Sequence, residues 1–143
     1  MSKGYSLAGL RFGFGIGREE LIAGLMKVKD SYNVDAVALA AATAAIKDQE
    51  YFRSNIEKIV SERTRLTDEL GKLGFSVPDS ETNFVMAQCN QCDAGQIYEK
   101  LAQRNIYVRY WDSSHLKDKL RITIGTVEQN DKLIEALKEI MPQ

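Results

Sequence analysis

The 143-residue sequence has few of the features that mark several large classes of protein. Two cysteines are too few for a disulfide scaffold, so we expect both to be thiols in a reducing compartment. Nineteen Lys and Arg against twenty Asp and Glu argue against the basic face of a nucleic-acid binder. No apolar run approaches the ~20 residues of a membrane-spanning helix, and no secretory signal is recognisable. We therefore expect a cytoplasmic domain without nucleic-acid or membrane partners.

Cysteine and histidine are also poorly placed for a metal or redox site. Cys89 and Cys92 have the C-x-x-C spacing before a predicted helix, where a helix N-terminus lowers the pKa of a thiol. A zinc site would need further ligands, and His115 is the only histidine. The βαβ context of a thioredoxin-like motif is missing from the predicted elements. We interpret the pair as structural or surface thiols and predict no metal site.

The chain starts with a glycine-rich segment, and hydrophobic periodicity then predicts a helical middle and a mixed α and β end. Large apolar and small residues alternate over residues 10–17, which indicates a strand packed closely against a neighbour. Asn33 is a plausible N-cap for the second of three helices, which are predicted over residues 18–30, 36–46 and 48–73. Gly74 is the expected residue at the end of the long third helix.

The second half has the pattern of an α+β domain. Strands are predicted at residues 83–88, 106–110 and 120–124, with a helix at 93–104. Thr126 and Gln129 have capping-box spacing, which predicts a last helix ending near Met141.

The first residues carry groups suited to holding an aldehyde and a phosphate. The amine of Lys3 can condense with an aldehyde if its surroundings lower its pKa. The planar guanidinium of Arg11 can bind phosphate oxygens, and Ser2 can add a hydroxyl group. On spacing alone, however, a solvated terminal lysine is the simpler explanation of Lys3.

Five segments, in this order, resemble motifs of the fold-type I pyridoxal-phosphate-dependent aminotransferases, and most closely the histidinol-phosphate aminotransferase branch. The first, Ser2 to Arg11, resembles the Schiff-base lysine motif, Ser-Lys followed by Leu-Ala-Gly-Leu-Arg. The others are Ser-Tyr-Asn-Val at 31–34, Ser-Glu-Thr-Asn-Phe at 80–84, Ile-Tyr-Val-Arg at 106–109 and Leu-Arg-Ile-Thr-Ile-Gly-Thr at 120–126. Any one alone would be weak, but together they are specific, and the resemblance extends along essentially the whole chain.

The resemblance implies roles for individual residues. Lys3 would be the catalytic residue that binds the aldehyde of pyridoxal 5'-phosphate, and Ser2 and Arg11 would hold the cofactor phosphate. Arg121 would bind the acid groups of the substrates and Arg109 would assist at the substrate phosphate. Two wall residues of the pocket are implied as well, Tyr32 and Asn83, although ordinary packing explains both equally well.

The resemblance also implies a domain organisation. Residues 1–47 would be the last segment of the cofactor-binding large domain, and residues 48–143 the C-terminal small domain, an α+β unit entered by the long linking helix. In this family, the remaining cofactor-binding residues precede the lysine. Because those residues include the aspartate that sustains the protonated pyridine ring, we expect these 143 residues alone to be inactive.

The resemblance implies an enzyme of histidine biosynthesis. Histidinol phosphate and 2-oxoglutarate would be interconverted with imidazole-acetol phosphate and glutamate, and the enzyme would be a cytoplasmic homodimer. A related phosphothreonine decarboxylase or an aromatic aminotransferase would share the fold. A non-catalytic interaction domain is an alternative from a different class.

Overall fold

The structure is a computed structural model that describes residues 1–141. The chain divides into two compact units, Met1–Ile56 and Glu57–Gln143. This division falls inside the long helix α3, Gln49–Lys72. The large-domain and small-domain boundary between residues 47 and 48 concerns the complete protein and stays a prediction.

The first unit is built from helices. A short 3₁₀ helix, Ala8–Leu10, precedes α1, Glu19–Val28, and α2, Ala36–Lys47. The predicted N-cap of α2 is wrong: Asp35 occupies that position, and its Oδ1 accepts a hydrogen bond from the backbone N–H of Ala38 at 2.8 Å. Either Asn or Asp can cap a helix, and the residue adjacent to its first turn does so here.

The strand predicted at residues 10–17 is absent. Residues 12–18 have no regular secondary structure, and the side chains of Phe14 and Ile16 are exposed. A strand requires a neighbour to receive its backbone hydrogen bonds, and the described residues of the first unit supply none. The alternation of large and small residues was therefore misleading.

The long helix predicted at residues 48–73 is confirmed as α3. Asp48 caps its start, because its Oδ1 accepts from the N–H of Tyr51 at 3.1 Å. Gly74 follows its end with a φ of 86°, a left-handed conformation that costs a residue with a Cβ atom about 1–2 kcal/mol. The conformation ends the helix and turns the chain into the first strand.

The second unit contains a four-stranded antiparallel sheet. The strands are β1 (Phe75–Ser76), β2 (Phe84–Cys89), β3 (Arg109–Tyr110) and β4 (Lys119–Thr123), in the order β1-β2-β4-β3. The strand predicted at 106–110 is shorter than expected, because only Arg109 and Tyr110 pair with β4. The helices are the second part of α3, α4 (Ala94–Ala102) and α5 (Val127–Ile140).

Buried and more exposed residues alternate along β2 and β4, so the sheet has one buried face. Val85 and Ala87 of β2 and Leu120 and Ile122 of β4 are fully or almost fully buried in the core. The core is completed by residues from the helices, which include Leu66, Leu70, Ile97, Leu101, Leu133 and Leu137. Residues between the buried positions project from the opposite face, because successive side chains of a strand point to opposite sides.

Local signals fix the starts of α4 and α5. Asp93 caps α4 through a hydrogen bond to its Oδ1 from the N–H of Gln96 at 3.1 Å. The predicted capping box of α5 is confirmed: the Thr126 hydroxyl accepts from the N–H of Gln129, whose side chain accepts from the N–H of Thr126. Among the described helices, none combines the length and apolar character needed to cross a bilayer.

Candidate functional site

Lys3 lies in a tight turn at the start of the first unit. The N–H of Ser6 donates to the carbonyl oxygen of Lys3 at 2.9 Å, and Ser6 has a φ of 54°. This closed turn leaves the Lys3 side chain exposed, while Ser2 is half-buried. An exposed amine on an ordered turn is accessible to an aldehyde.

A cavity of about 590 Å³ lies beside this turn. Ser2 and Lys3 belong to its lining, which also includes Gly4, Tyr5, Phe14, Phe52 and Ile56. The rings of Tyr5 and Phe52 stack with centroids 4.4 Å apart. A Cβ atom on Gly4 would lie 2.6 Å from the Phe52 ring, so any larger residue would force the ring to shift. The turn is thus held against an aromatic wall.

Arg11 and Tyr32 are outside the lining of this cavity. Arg11 follows the 3₁₀ helix in a left-handed conformation, with a φ of 51°, and its Nη1 donates to the carbonyl oxygen of Ala8 at 3.1 Å. The remaining guanidinium N–H groups of this exposed side chain are available for other acceptors. Tyr32 is 96% exposed. The structure therefore brings Ser2 and Lys3 to one cavity without Arg11 or Tyr32.

The second unit brings two predicted arginines together. Arg109 of β3 and Arg121 of β4 are paired directly across the antiparallel ladder. Residues opposite each other in such a ladder project from the same face, so both guanidinium groups extend from the face away from Leu120 and Ile122. Met86 is the partner of Arg121 on the other side, in β2. Two cations therefore share one open face of the sheet.

Aromatic rings, rather than carboxylates, surround these guanidinium groups. Arg121 Cζ lies 4.9 Å from the ring centroid of Phe84 and 5.7 Å from that of Trp111, while Arg109 Cζ lies 5.1 Å from Trp111. Within residues 1–141, the ion pairs closer than 4.0 Å involve neither Arg109 nor Arg121. The Nε atom of Arg121 is buried and has no hydrogen-bond partner among them. This arrangement can accept anions.

Trp111 and Phe84 are the residues that sequence reasoning missed at this face. Trp111 lies two positions after Arg109, and a spacing of two places both side chains on one side of an extended segment. That signal was available in the sequence. The contact of Phe84 with Arg121 depends on the pairing of β2 with β4, which no local pattern specifies.

Asn83 contributes a backbone hydrogen bond just before the start of β2. Its carbonyl oxygen accepts from the N–H of Ile124 at 2.9 Å, which extends the pairing of β2 and β4 by one bond. The side chain is half-buried.

A buried polar network supports the turn that follows β4. The Asn130 side chain accepts from the N–H of Gly125 at 3.1 Å and donates to Glu62 Oε2 at 2.8 Å. Arg65 donates twice to the Glu62 carboxylate and once to Asp131. Hydrogen bonds from Arg65 and then Asn130 lower the pKa of Glu62, despite the opposing effect of burial.

The two cysteines are free thiols, as expected. Cys89 is buried at the end of β2 and Cys92 is half-buried in the turn before α4. Burial, with a smaller contribution from the hydrogen bond to Cys92, raises the pKa of the Cys89 thiol well above its ordinary value. A buried thiol with a raised pKa is a poor nucleophile. The described residues contain no cluster of three or more metal-ligating side chains.

Comparison with known proteins identifies relatives along almost the entire chain. The sequence model of the family described as aminotransferase class I and II matches residues 1–137. The chain is 52% identical over 141 residues to histidinol-phosphate aminotransferase 1 of Nostoc sp.. That match covers 99% of this chain and 40% of the relative. The chain therefore spans about two fifths of the length of this curated relative.

Solved structures show the same fold. The histidinol-phosphate aminotransferase of Clostridium acetobutylicum is 29% identical with a TM-score of 0.89, and the match covers 99% of this chain and 44% of that one. The enzyme of Sinorhizobium meliloti, solved in complex with pyridoxal-5'-phosphate, is 29% identical with a TM-score of 0.85. Here the match covers 98% of this chain and 39% of that one. The predicted α+β architecture with a long helix is confirmed.

Proposed function

Because the chain belongs to the class I and II aminotransferase family, we propose that the protein is a pyridoxal 5'-phosphate-dependent aminotransferase of the histidinol-phosphate type. Its reaction would convert histidinol phosphate and 2-oxoglutarate to imidazole-acetol phosphate and glutamate, in histidine biosynthesis. The observation that carries the proposal is the cross-strand pair of Arg109 and Arg121, whose guanidinium groups have no carboxylate within ion-pair distance among the described residues. Substrates with phosphate or two carboxylate groups match such a pair in charge.

The donor groups of the first unit match the cofactor in chemistry, although Arg11 lies outside the lining of the cavity. Lys3 presents an exposed amine beside the cavity, Ser2 lines the same cavity with a hydroxyl group, and Arg11 has guanidinium N–H groups free for phosphate. The donor set of amine, hydroxyl and guanidinium is the one that an aldehyde with a phosphate tail requires. Bound pyridoxal phosphate supplies an electron sink that stabilises negative charge at the substrate Cα.

The residues of this chain would then have separate tasks. Lys3 Nζ would hold the aldehyde end of the cofactor and would be the base that accepts the proton from the substrate Cα. Ser2 and Arg11 would hold the phosphate and so fix the distance between the aldehyde and Lys3. Tyr32 and Asn83 would contribute to the walls of the substrate pocket.

Arg121 and Arg109 would bind the acid groups of the two substrates in turn. A guanidinium group makes bidentate hydrogen bonds with either carboxylate or phosphate, so one site can accept both glutamate and histidinol phosphate. Because the Arg121 Nε atom is buried without a partner among the described residues, an anion bound there would satisfy a donor that has lost its water. That gain favours anionic over neutral substrates.

The proposal extends to the assembly and location of the protein. We propose a cytoplasmic homodimer, as in the enzymes that the motifs resemble. Several apolar side chains of α1, Leu21, Leu25, Met26 and Val28, are exposed and would gain from burial against further protein surface. Light scattering on the complete protein would test this assembly. We expect a mass twice that of one chain. The 143 residues alone are expected to be inactive.

A single-turnover assay tests the reaction. The complete natural protein, loaded with pyridoxal phosphate, would be mixed with histidinol phosphate in the absence of 2-oxoglutarate. The proposal predicts loss of the visible absorbance at about 400–430 nm and release of imidazole-acetol phosphate, measured by mass spectrometry. Release of carbon dioxide from phosphothreonine would favour the decarboxylase alternative. Unchanged absorbance with every amino donor would favour the non-catalytic domain.

A further inference from the structure

One indole ring contacts both arginines of the open face. Trp111 lies 5.1 Å from Arg109 Cζ and 5.7 Å from Arg121 Cζ, measured to the ring centroid. Trp111 is the only tryptophan in the chain, and it is half-buried immediately after β3. The Trp111 ring therefore contacts both of the cations that the ladder places opposite each other.

Two neighbouring guanidinium groups repel each other, and their long side chains have many rotamers. A carboxylate between them would remove the repulsion, but it would also occupy the hydrogen-bond donors that a substrate needs. An aromatic face attracts a cation through its quadrupole without accepting a hydrogen bond in the plane of the guanidinium. A guanidinium over a ring therefore keeps its in-plane N–H groups free for an anion.

The strands alone would not fix these side chains. Arg109 is exposed, and the ladder partner of Arg121 on β2 is Met86, which offers no strong acceptor. Phe84 supplies Arg121 with a second aromatic contact, whereas Arg109 contacts only the Trp111 ring among the aromatic residues of the described structure. Removal of the indole would therefore release Arg109 and leave Arg121 with the Phe84 ring as its one aromatic contact among the described residues.

We propose that Trp111 is a positioning residue, which holds Arg109 and Arg121 ready for a doubly charged anion through its ring face. This inference rests on the proposed function for the identity of the substrate, but the anion affinity itself does not require turnover. It assigns to Trp111 an effect on substrate affinity rather than on proton transfer at Lys3.

The test compares Trp111→Phe and Trp111→Leu in the complete, cofactor-loaded protein. Inorganic phosphate is the calorimetric probe, since the phosphate-binding residues of the cofactor are then already filled. Trp111→Leu is expected to weaken phosphate binding about three- to tenfold, and Trp111→Phe to restore most of the affinity. KM for histidinol phosphate should rise in parallel for Trp111→Leu, with kcat within about twofold of the parent.

The control is Tyr107→Leu. Tyr107 is an exposed aromatic residue two positions before Arg109, and its hydroxyl group donates to Asn105. Its replacement should leave phosphate affinity unchanged. Thermal unfolding of each variant separates loss of fold from loss of binding, and Trp111→Met replaces Trp111→Leu if the latter does not fold.

Equal phosphate affinity in the parent and in a folded Trp111→Leu or Trp111→Met variant would overturn the inference. An equal loss in Trp111→Phe would overturn it too, because the ring face would then not be the cause. Absence of amino transfer in the parent, with phosphate binding still dependent on the ring, would count against the proposed function while supporting the role of Trp111.

Discussion

Arg109 and Arg121 lie directly opposite each other in the β3–β4 ladder and share the Trp111 ring as a contact. The relationship arises from ordinary strand geometry. Leu120 and Ile122 belong to the core, so the residue between them must project from the other face. The packing of the core thereby determines where the substrate-binding cations of the proposed enzyme are presented.

Replacement of Arg121 by lysine tests the need for a planar, bidentate group. Arg121→Lys keeps the charge but loses the fork that matches a carboxylate or phosphate. We expect KM for 2-oxoglutarate to rise about tenfold or more in steady-state assays of the complete protein, since a hydrogen bond to a charged group contributes about 1.5–3 kcal/mol.

The matched control is Arg104→Lys. Arg104 is exposed and pairs with Glu139 at 3.3 Å, away from the sheet face that carries Arg121. Its replacement should change KM by less than twofold. A KM for Arg121→Lys no higher than that of the control would contradict the assigned role.

The stability of the second unit should depend on pH through Glu62. Its pKa is lowered in the folded state, chiefly by Arg65 and then by Asn130. The native state therefore binds fewer protons, and the stability that the ionised group contributes is present above the unfolded pKa. It is lost as the pH falls through the lower, folded pKa.

Glu62→Gln measures this contribution, because glutamine is nearly isosteric and does not ionise. In urea unfolding at pH 7 we expect the variant to be about 1–3 kcal/mol less stable than the parent. The difference should shrink as the pH is lowered towards 3. A difference that stays constant with pH would show that the Glu62 charge is not the cause.

Two glycines near the end of α3 should respond oppositely to the same substitution. Gly71 lies within the helix, where alanine is favoured by about 0.5–1 kcal/mol and where no atom of the described residues lies within 4 Å of an added Cβ. Gly74 has a φ of 86°, which costs alanine about 1–2 kcal/mol.

Thermal or urea unfolding of Gly71→Ala and Gly74→Ala would measure the stability of each variant relative to the parent. The first variant should gain stability and the second should lose it. Loss of stability in both, or a gain in Gly74→Ala, would contradict the helix end described here.

Whether an element could be predicted from the sequence depends on how close along the chain the residues that determine it lie. The capping box of Thr126 and Gln129 and the role of Gly74 were predictable, because each depends on residues within one turn. The limits of β3 were not, since pairing with β4 is a tertiary property that stops after Arg109 and Tyr110. Residues 10–17 had the composition of a strand, but residues 1–141 offer them no partner strand.

The candidate site likewise has a part that could be predicted from the sequence and a part that could not. Motif resemblance proposes Lys3, Arg109 and Arg121 as site residues, and the ladder places the two arginines together. The aromatic contacts of Arg121 depend on the register of β2 with β4 and on the path of the chain after β3. No spacing rule supplies such contacts between distant segments.

The central claim, that Lys3 binds the cofactor, is tested most directly by mapping the site of attachment. The complete protein would be incubated with one equivalent of pyridoxal phosphate, reduced with borohydride, digested and analysed by mass spectrometry. We predict that the added mass lies on Lys3, disappears in Lys3→Ala and persists in Lys29→Ala, which removes an exposed lysine of the same unit. Stoichiometric attachment to another lysine, or undiminished attachment in Lys3→Ala, would contradict the account.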